Sequence, residues 1–249
     1  MLDFNTHDIS DQLSALVDTA MEREASSLPP RAYLGASSLG EDCARRLQFQ
    51  YFNAPKDRGR HFPGRVLRVF ARGHRVEVWM VEWLRLAGFE LRDRNDQGEQ
   101  FGFVAAGGRV RGHADGVIVA GPENFRYPML WECKCVGAKT FRELKKKRLA
   151  ASRPVYAAQV ALYQAYLGLH AHPALFTAIC ADDMSIYTER VMFDRGLAQR
   201  ASDRAVEILR ACDAGELLPR ISTTPTHRTC RGCPWQDRCW ALSLSPTLH

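Results

Sequence analysis

The stretch from Arg111 to Val136 constrains this chain most: R-G-H-A-D-G-V-I-V-A, a turn over 121–124, then Y-P-M-L-W-E-C-K-C-V. The pattern predicts two β-strands joined by a turn, the first carrying Asp115 and the second Glu132 and Lys134. Residues two apart on a strand share a face, so Glu132 and Lys134 point the same way. Asp115 then falls across the ladder from Glu132, where two carboxylates can hold one divalent cation. Charges at the end of an apolar strand are expensive to desolvate, so such a chain must supply them with partners.

The surrounding pattern predicts an α/β fold, a central mixed β-sheet flanked by helices. Residues 1 to about 30 read as a polar helical arm with an apolar stripe at Leu13, Leu16, Val17 and Ala20. Ser37 or Ser38 is placed to cap a helix carrying Cys43, Arg45 and Arg46. Between Arg65 and Ala87, Val66, Val69, Phe70, Trp79, Met80, Trp83 and Leu84 recur at helical spacing, with Gly88 as a stop. This helix carries Glu77, and Gly73 within it is read as a point of close backbone approach. A hairpin is expected around Gly107-Gly108, and a basic, partly mobile segment over 137–153.

Pro154 opens the next helix, with Val155, Ala158, Leu162, Ala165 and Leu169 as its core stripe and Gln159, Tyr163 and Tyr166 on an adjoining face. A further hairpin spans 174–193, and Asp194 is placed to cap a helix ending near Cys212. The expected division is an arm over 1–30, one domain over 31–240 and a tail over 241–249.

The formal net charge of +6 is concentrated. Residues 56–75 and 139–153 each hold seven basic side chains against one acid, leaving the remainder acidic. Basic runs are either solvated faces or a polyanion footprint. On the second reading, Arg72, Arg75, Lys145, Lys146, Lys147 and Arg148 contact nucleic acid. No apolar run approaches the roughly 20 residues that span a bilayer. The first residues lack a basic region followed by an apolar one, so no signal peptide is expected. The expectation is a cytoplasmic protein, of a bacterial or phage-infected cell, with no membrane partner. Eight cysteines in such a setting point to metal ligation rather than disulfides.

Glu77, Asp115, Glu132 and Lys134, with Gln159 and Tyr163 downstream, form the first constellation. Carboxylates suit Mg²⁺ or Mn²⁺, which prefer oxygen ligands. Such an ion lowers the pKa of a bound water and steadies a leaving oxygen, and an adjacent lysine neutralises charge growing on phosphorus. The substrate matching these parts and the basic segments is a nucleic-acid phosphodiester. Cys230-x-x-Cys233-x5-Cys239 forms the second constellation, one thiolate short of a complete centre, and Cys43 is the candidate fourth ligand. A tetrahedral zinc ion and an iron–sulfur cluster are both open to four thiolates, and four unconnected core cysteines are the alternative.

Here the sequence resembles the PD-(D/E)XK nucleases, specifically their RecB-like exonuclease branch. The order Gly-x-x-x-(His or Glu), Asp, Glu-x-Lys, Gln-x-x-x-Tyr is met by Gly73 to Glu77, Asp115, Glu132-Cys133-Lys134 and Gln159 to Tyr163. The resemblance implies that Glu77, Asp115 and Glu132 bind Mg²⁺ or Mn²⁺ with help from the Cys133 carbonyl. It further implies that Lys134 serves the water and that Gln159 and Tyr163 support the site and the DNA backbone. Many members of the branch have histidine at the position of Glu77, and His74 is the weaker ligand here. The cysteine pattern is similar to the iron–sulfur subset (AddB-like and CRISPR-associated), implying a [4Fe–4S] cluster on Cys43, Cys230, Cys233 and Cys239, with Zn²⁺ as the alternative.

The expected function is divalent-metal-dependent DNA exonuclease activity on single strands or ends, in recombination, repair or phage- or CRISPR-related processing. A structure-specific endonuclease and a non-catalytic DNA-binding scaffold are the rivals. DNA is the expected partner; a homo-oligomer or recombination proteins are the protein partners considered.

Overall fold

Strand β6 (Met129–Val136) lies at the centre of the molecule and pairs in parallel with β7 (Ala174–Cys180), in register from Trp131 opposite Leu175 to Val136 opposite Cys180. Parallel neighbours need a crossover, supplied here by α4 (Ala138–Ser152) and α5 (Pro154–Tyr166). All seven residues of β7 are buried, which explains its unbroken apolar run, as both of its faces are covered. The computed structural model describes residues 7–241; the first six residues and 242–249, which hold nearly all of the expected tail, lie outside it.

β2 (Glu90–Arg92), β5 (Gly116–Ala120) and β8 (Ile186–Val191) complete a mixed five-stranded sheet of order β2-β5-β6-β7-β8. A smaller sheet has the order β1-β4-β3, from β1 (Leu34–Gly35), β3 (Gly102–Ala105) and β4 (Val110–His113). The remaining helices are α1 (His7–Ser27), α2 (Ala44–Tyr51), α3 (Gly64–Leu86), α6 (Arg195–Asp213), α7 (Arg228–Arg231) and α8 (Gln236–Ala241). None of the helices among the described residues is long and apolar enough to cross a membrane.

The large sheet is buried on both sides. Leu130, Val136 and Phe176 face Leu144, Val160, Leu162 and Ile208, whereas Met129, Trp131, Cys133 and Ile179 face Val76, Met80 and Leu84 of α3. Alternation along β6 therefore sends Glu132 and Lys134 to the side of α5, and Cys133 to the side of α3.

Several expectations need correction. The basic segment, expected to be partly mobile, forms helix α4, anchored by buried Phe141, Leu144 and Leu149. Three apolar anchors among seven basic residues are too sparse a stripe to read as a helix. Arg148 interrupts α4 at φ 63, and Glu189 holds the break by accepting from Arg148 Nε at 3.2 Å and Leu149 N at 2.9 Å. Cys43 is the N-cap of α2 rather than part of a helix capped by Ser37 or Ser38; Ser38 instead donates to Gly35 O at 2.8 Å in a short 3₁₀ turn. Helix α5 has no single core stripe, being buried all round from Ala157 to Gln164, with Ala165 exposed. On α3, Val69, Phe70, Trp79 and Trp83 are exposed while Val76, Met80, Val81 and Leu84 pack inward.

Candidate active site

The chain passes from the small sheet to the large one between β4 and β5, and Asp115 sits at that corner rather than within a strand. With Gly116 opposite Trp131, Asp115 comes abreast of Glu132, and its Oδ2 accepts from the Cys133 amide at 2.8 Å. Glu132 is fully buried. Its Oε1 accepts from Gln159 Nε2 at 2.6 Å and from Lys134 Nζ, while Oε2 has no hydrogen-bond partner among the described residues. A buried carboxylate oxygen left without a partner normally costs on the order of 1–3 kcal/mol or more. It is suited to a cation.

Lys134 is held from several sides. Besides Glu132, Nζ donates to Cys133 O at 3.1 Å, lies 3.9 Å from Asp115 Oδ2, and sits 5.6 Å from the centre of the Tyr156 ring. The Cys133 carbonyl, expected to help a metal, is thus already accepting from the lysine. Gln159 also reaches Tyr163 Oη at 3.4 Å, and both side chains are buried. Tyr163 packs against Gly112 so closely that a Cβ there would meet Cε1 at 2.4 Å. Glycine at 112, in the R-G-H-A-D run, is what seats the tyrosine. Gly73, by contrast, has nothing within 4 Å of where a Cβ would stand, so the expected close backbone approach is absent.

Burial dominates the electrostatics. It pushes Glu132 up to about 8, with Asp115 adding to the shift and Lys134 opposing it. Glu77, from α3, is pushed up to about 7 by burial first and then by Asp115. Asp115 is likewise raised by burial against the pull of Lys134 and His74. For Lys134, burial works against the charge, but Glu132 and Asp115 outweigh it and its pKa rises. Three carboxyls facing one ammonium make a centre that is short of positive charge, the condition a divalent cation relieves. The influence of His74 on Asp115, the Tyr156 ring and the seat at Gly112 were not anticipated from sequence. Tyr156 lies one helical turn before Gln159, a spacing that could have flagged it.

Of the basic side chains expected at nucleic acid, Arg72, Arg75 and Lys145 to Lys147 are exposed. Arg148 is exposed too but is paired with Glu189.

The start of α2 and the C-terminal segment meet at a second place. Cys43, Cys230, Cys233 and Cys239 line one cavity of about 20 Å³, with Arg45, Arg46, Arg220, Phe49 and Trp240. That volume holds about one water-sized body. Loop residues support it: Trp235 Nε1 donates to Ala54 O at 2.8 Å, and the Asp57 carboxylate accepts from the amides of Asp237 and Arg238 at 2.6 and 3.1 Å. Cys133, Cys135, Cys180 and Cys212 are not among the residues lining it. Among the described residues, no three His, Cys, Asp or Glu side chains stand as a ready-made metal cage. Each site offers donors of the right chemistry without converging on a point.

The family model for the PD-(D/E)XK nuclease superfamily matches residues 5–240. The chain belongs to that superfamily. Solved structures with a similar fold include the crystal structure of SSO0001, at 13% identity and TM-score 0.51, covering 91% of this chain and 96% of that one. An alkaline exonuclease from Laribacter hongkongensis is similar at 16% identity and TM-score 0.51, with 74% and 90% covered. The same enzyme in complex with dAMP gives 15% identity and TM-score 0.51, with 80% and 93% covered. No curated protein matches the chain by sequence.

Proposed function

We propose that this chain is a divalent-metal-dependent deoxyribonuclease, acting as an exonuclease on single-stranded DNA or DNA ends. One observation carries the reading. Glu132 is fully buried, with one carboxylate oxygen fixed by Gln159 and Lys134 and the other unpartnered, beside Asp115 and within the field of Glu77. A scaffold that only bound DNA would gain nothing from burying such a group.

Glu132, Asp115 and Glu77 would hold Mg²⁺ or Mn²⁺, and the bound ion would polarise the phosphodiester and acidify a water. Gln159 fixes the orientation of Glu132. Lys134 holds the attacking water and offsets negative charge growing on the phosphate. Tyr163, seated on Gly112, keeps Gln159 in place. The exposed bases of α3 and α4 attract the DNA backbone, a contact that salt weakens. The likeness to an alkaline exonuclease, also solved in complex with dAMP, supports an exonuclease acting on DNA. We assign the activity to one domain over 31–240 and to the cytoplasm.

We further propose that Cys43, Cys230, Cys233 and Cys239 ligate a structural metal centre, a [4Fe–4S] cluster or a zinc ion. Their sharing of one cavity supports this.

The nuclease reading is tested with end-labelled single-stranded, duplex and circular DNA in Mg²⁺ or Mn²⁺, then with EDTA. Linear strands should be shortened from an end, circles spared, EDTA should stop the reaction, and Asp115→Ala should be inactive. Cutting of circles would move the assignment to an endonuclease. Absence of metal-dependent cutting on every substrate would end the nuclease reading.

A further inference from the structure

The cysteine cavity carries cations and lacks acids. Arg45, Arg46 and Arg220 line it, and no Asp or Glu does. The three arginines differ in what holds them. Arg46 faces Glu41 at 3.3 Å, and Arg220 donates from Nε and Nη2 to Cys239 O at 3.1 and 2.8 Å while lying over the Trp240 ring. Arg45 is the most deeply placed, at 3% exposure. Its Nε donates to Leu218 O, and its Nη1 lies 3.9 Å from Cys239 Sγ. Among the described residues it makes no ion pair with a carboxylate, the neighbouring Glu41 being the partner of Arg46.

A buried guanidinium without a counter-ion is strongly unfavourable. Thiols do not neutralise it, but thiolates do. Four thiolates outweigh the positive charge of either a zinc ion or a [4Fe–4S] core, so both centres are net anions. A carboxylate would repel such a centre, and none lines the cavity.

We propose that Arg45 is the internal counter-ion of a thiolate-bound metal centre in this cavity, and that its charge, more than its shape, retains the metal. The proposal rests on the assignment of the four cysteines as ligands. Arg45 contributes no ligand atom and is a positioning residue: its Nη1, 3.9 Å from Cys239 Sγ, sets a fixed positive charge beside the centre. Where the centre is a cluster, reduction adds negative charge beside Arg45, so the arginine also raises the midpoint potential.

The test compares the wild type, Arg45→Lys and Arg45→Met, purified without oxygen. Zinc, iron and acid-labile sulfide are counted, and metal loss to a chelator is timed. Partners outside the ligand set typically change metal affinity 10–100-fold. Arg45→Met should therefore shed its metal at least about tenfold faster, while Arg45→Lys stays within about threefold of wild type. An iron centre should also show a lower midpoint potential in Arg45→Met, which a packing defect alone would not produce. Should Arg45→Met fail to fold, Arg45→Gln and the lysine variant carry the comparison, with folding monitored by circular dichroism.

Equal retention in wild type and Arg45→Met overturns the counter-ion role and leaves the metal centre standing. Loss in Arg45→Lys as rapid as in Arg45→Met also overturns it, since shape rather than charge would then govern. A wild type that folds without zinc or iron removes the metal centre itself, and the proposal with it.

Discussion

The corner at Asp115 and the cavity at Cys43 gather donor side chains with opposite surpluses of charge. Glu77, Asp115 and Glu132 face one lysine, and burial raises all three acids. The four cysteines share a cavity with three arginines and no acid. The first place is short of a cation. The second is short of an anion, which, on the proposed assignment of the four cysteines, thiolates around a metal would supply. On the proposed function, the two surpluses correspond to two kinds of centre: carboxylates around an exchangeable hard ion, thiolates around a retained soft one. Function is then tied to the first site and stability to the second.

Opposite substitutions give the largest expected separation. Glu132→Gln should reduce DNA cutting on the order of 10³-fold while leaving the melting temperature unchanged or raised, because it replaces a buried acid by a neutral isostere. Cys230→Ser should lower the melting temperature by about 5 °C or more, because the energy of a structural metal is folding energy. Melting and single-turnover cutting measured on both variants decide the matter. A large loss of stability in Glu132→Gln would mean that the carboxylate serves the fold rather than the cation.

Next in size is a pH effect confined to the carboxylate site. Glu77 and Glu132 rise from 4.5 to about 7 and about 8 on folding without metal. Below about pH 4.5 the folded and unfolded chains both hold these protons, and the contribution to stability is complete. As pH climbs toward 8 the unfolded chain releases protons that the fold keeps, so stability falls. The melting temperature of the metal-free wild type should therefore decline relative to Glu132→Gln between pH 5 and 8. Mg²⁺ should restore more of it at pH 8 than at pH 5, since the cation binds the ionised acids. A difference between the two proteins that grows in favour of wild type with rising pH would contradict the assignment.

Legibility from sequence divides along the same line. An apolar run ending in acid-x-lysine located β6 and set Glu132 and Lys134 on one face, while helical spacing located α3 and Pro154 opened α5, with Glu77, Gln159 and Tyr163 on them. These are local properties. What escaped depends on distant partners. Asp115 lies at a corner because β4 and β5 join different sheets, and Gly112 matters because Tyr163, far along the chain, needs its missing Cβ. Helix α4 escaped because its three anchors are scattered among lysines and arginines. Cysteine spacing suggested that the ends meet, but it could not foresee that arginines alone supply the charge around them, since Arg45 and Arg220 are separated by most of the chain.

The smallest effect expected concerns how the cavity is held apart from any metal. Asp57 accepts from the amides of Asp237 and Arg238, and so caps α8 from a loop remote in sequence. An aspartate in that position stabilises a helix start by roughly 1 kcal/mol. Asp57→Ala should thus lower stability by about that amount, a melting shift of roughly 2–4 °C for a chain of this size. Because α8 carries Cys239, the variant should also release its metal to a chelator sooner than wild type, though more slowly than Cys230→Ser. A melting shift with unchanged release would show that the loop anchors α8 without steadying the thiol; no shift at all would leave the metal as the main tie between the two ends.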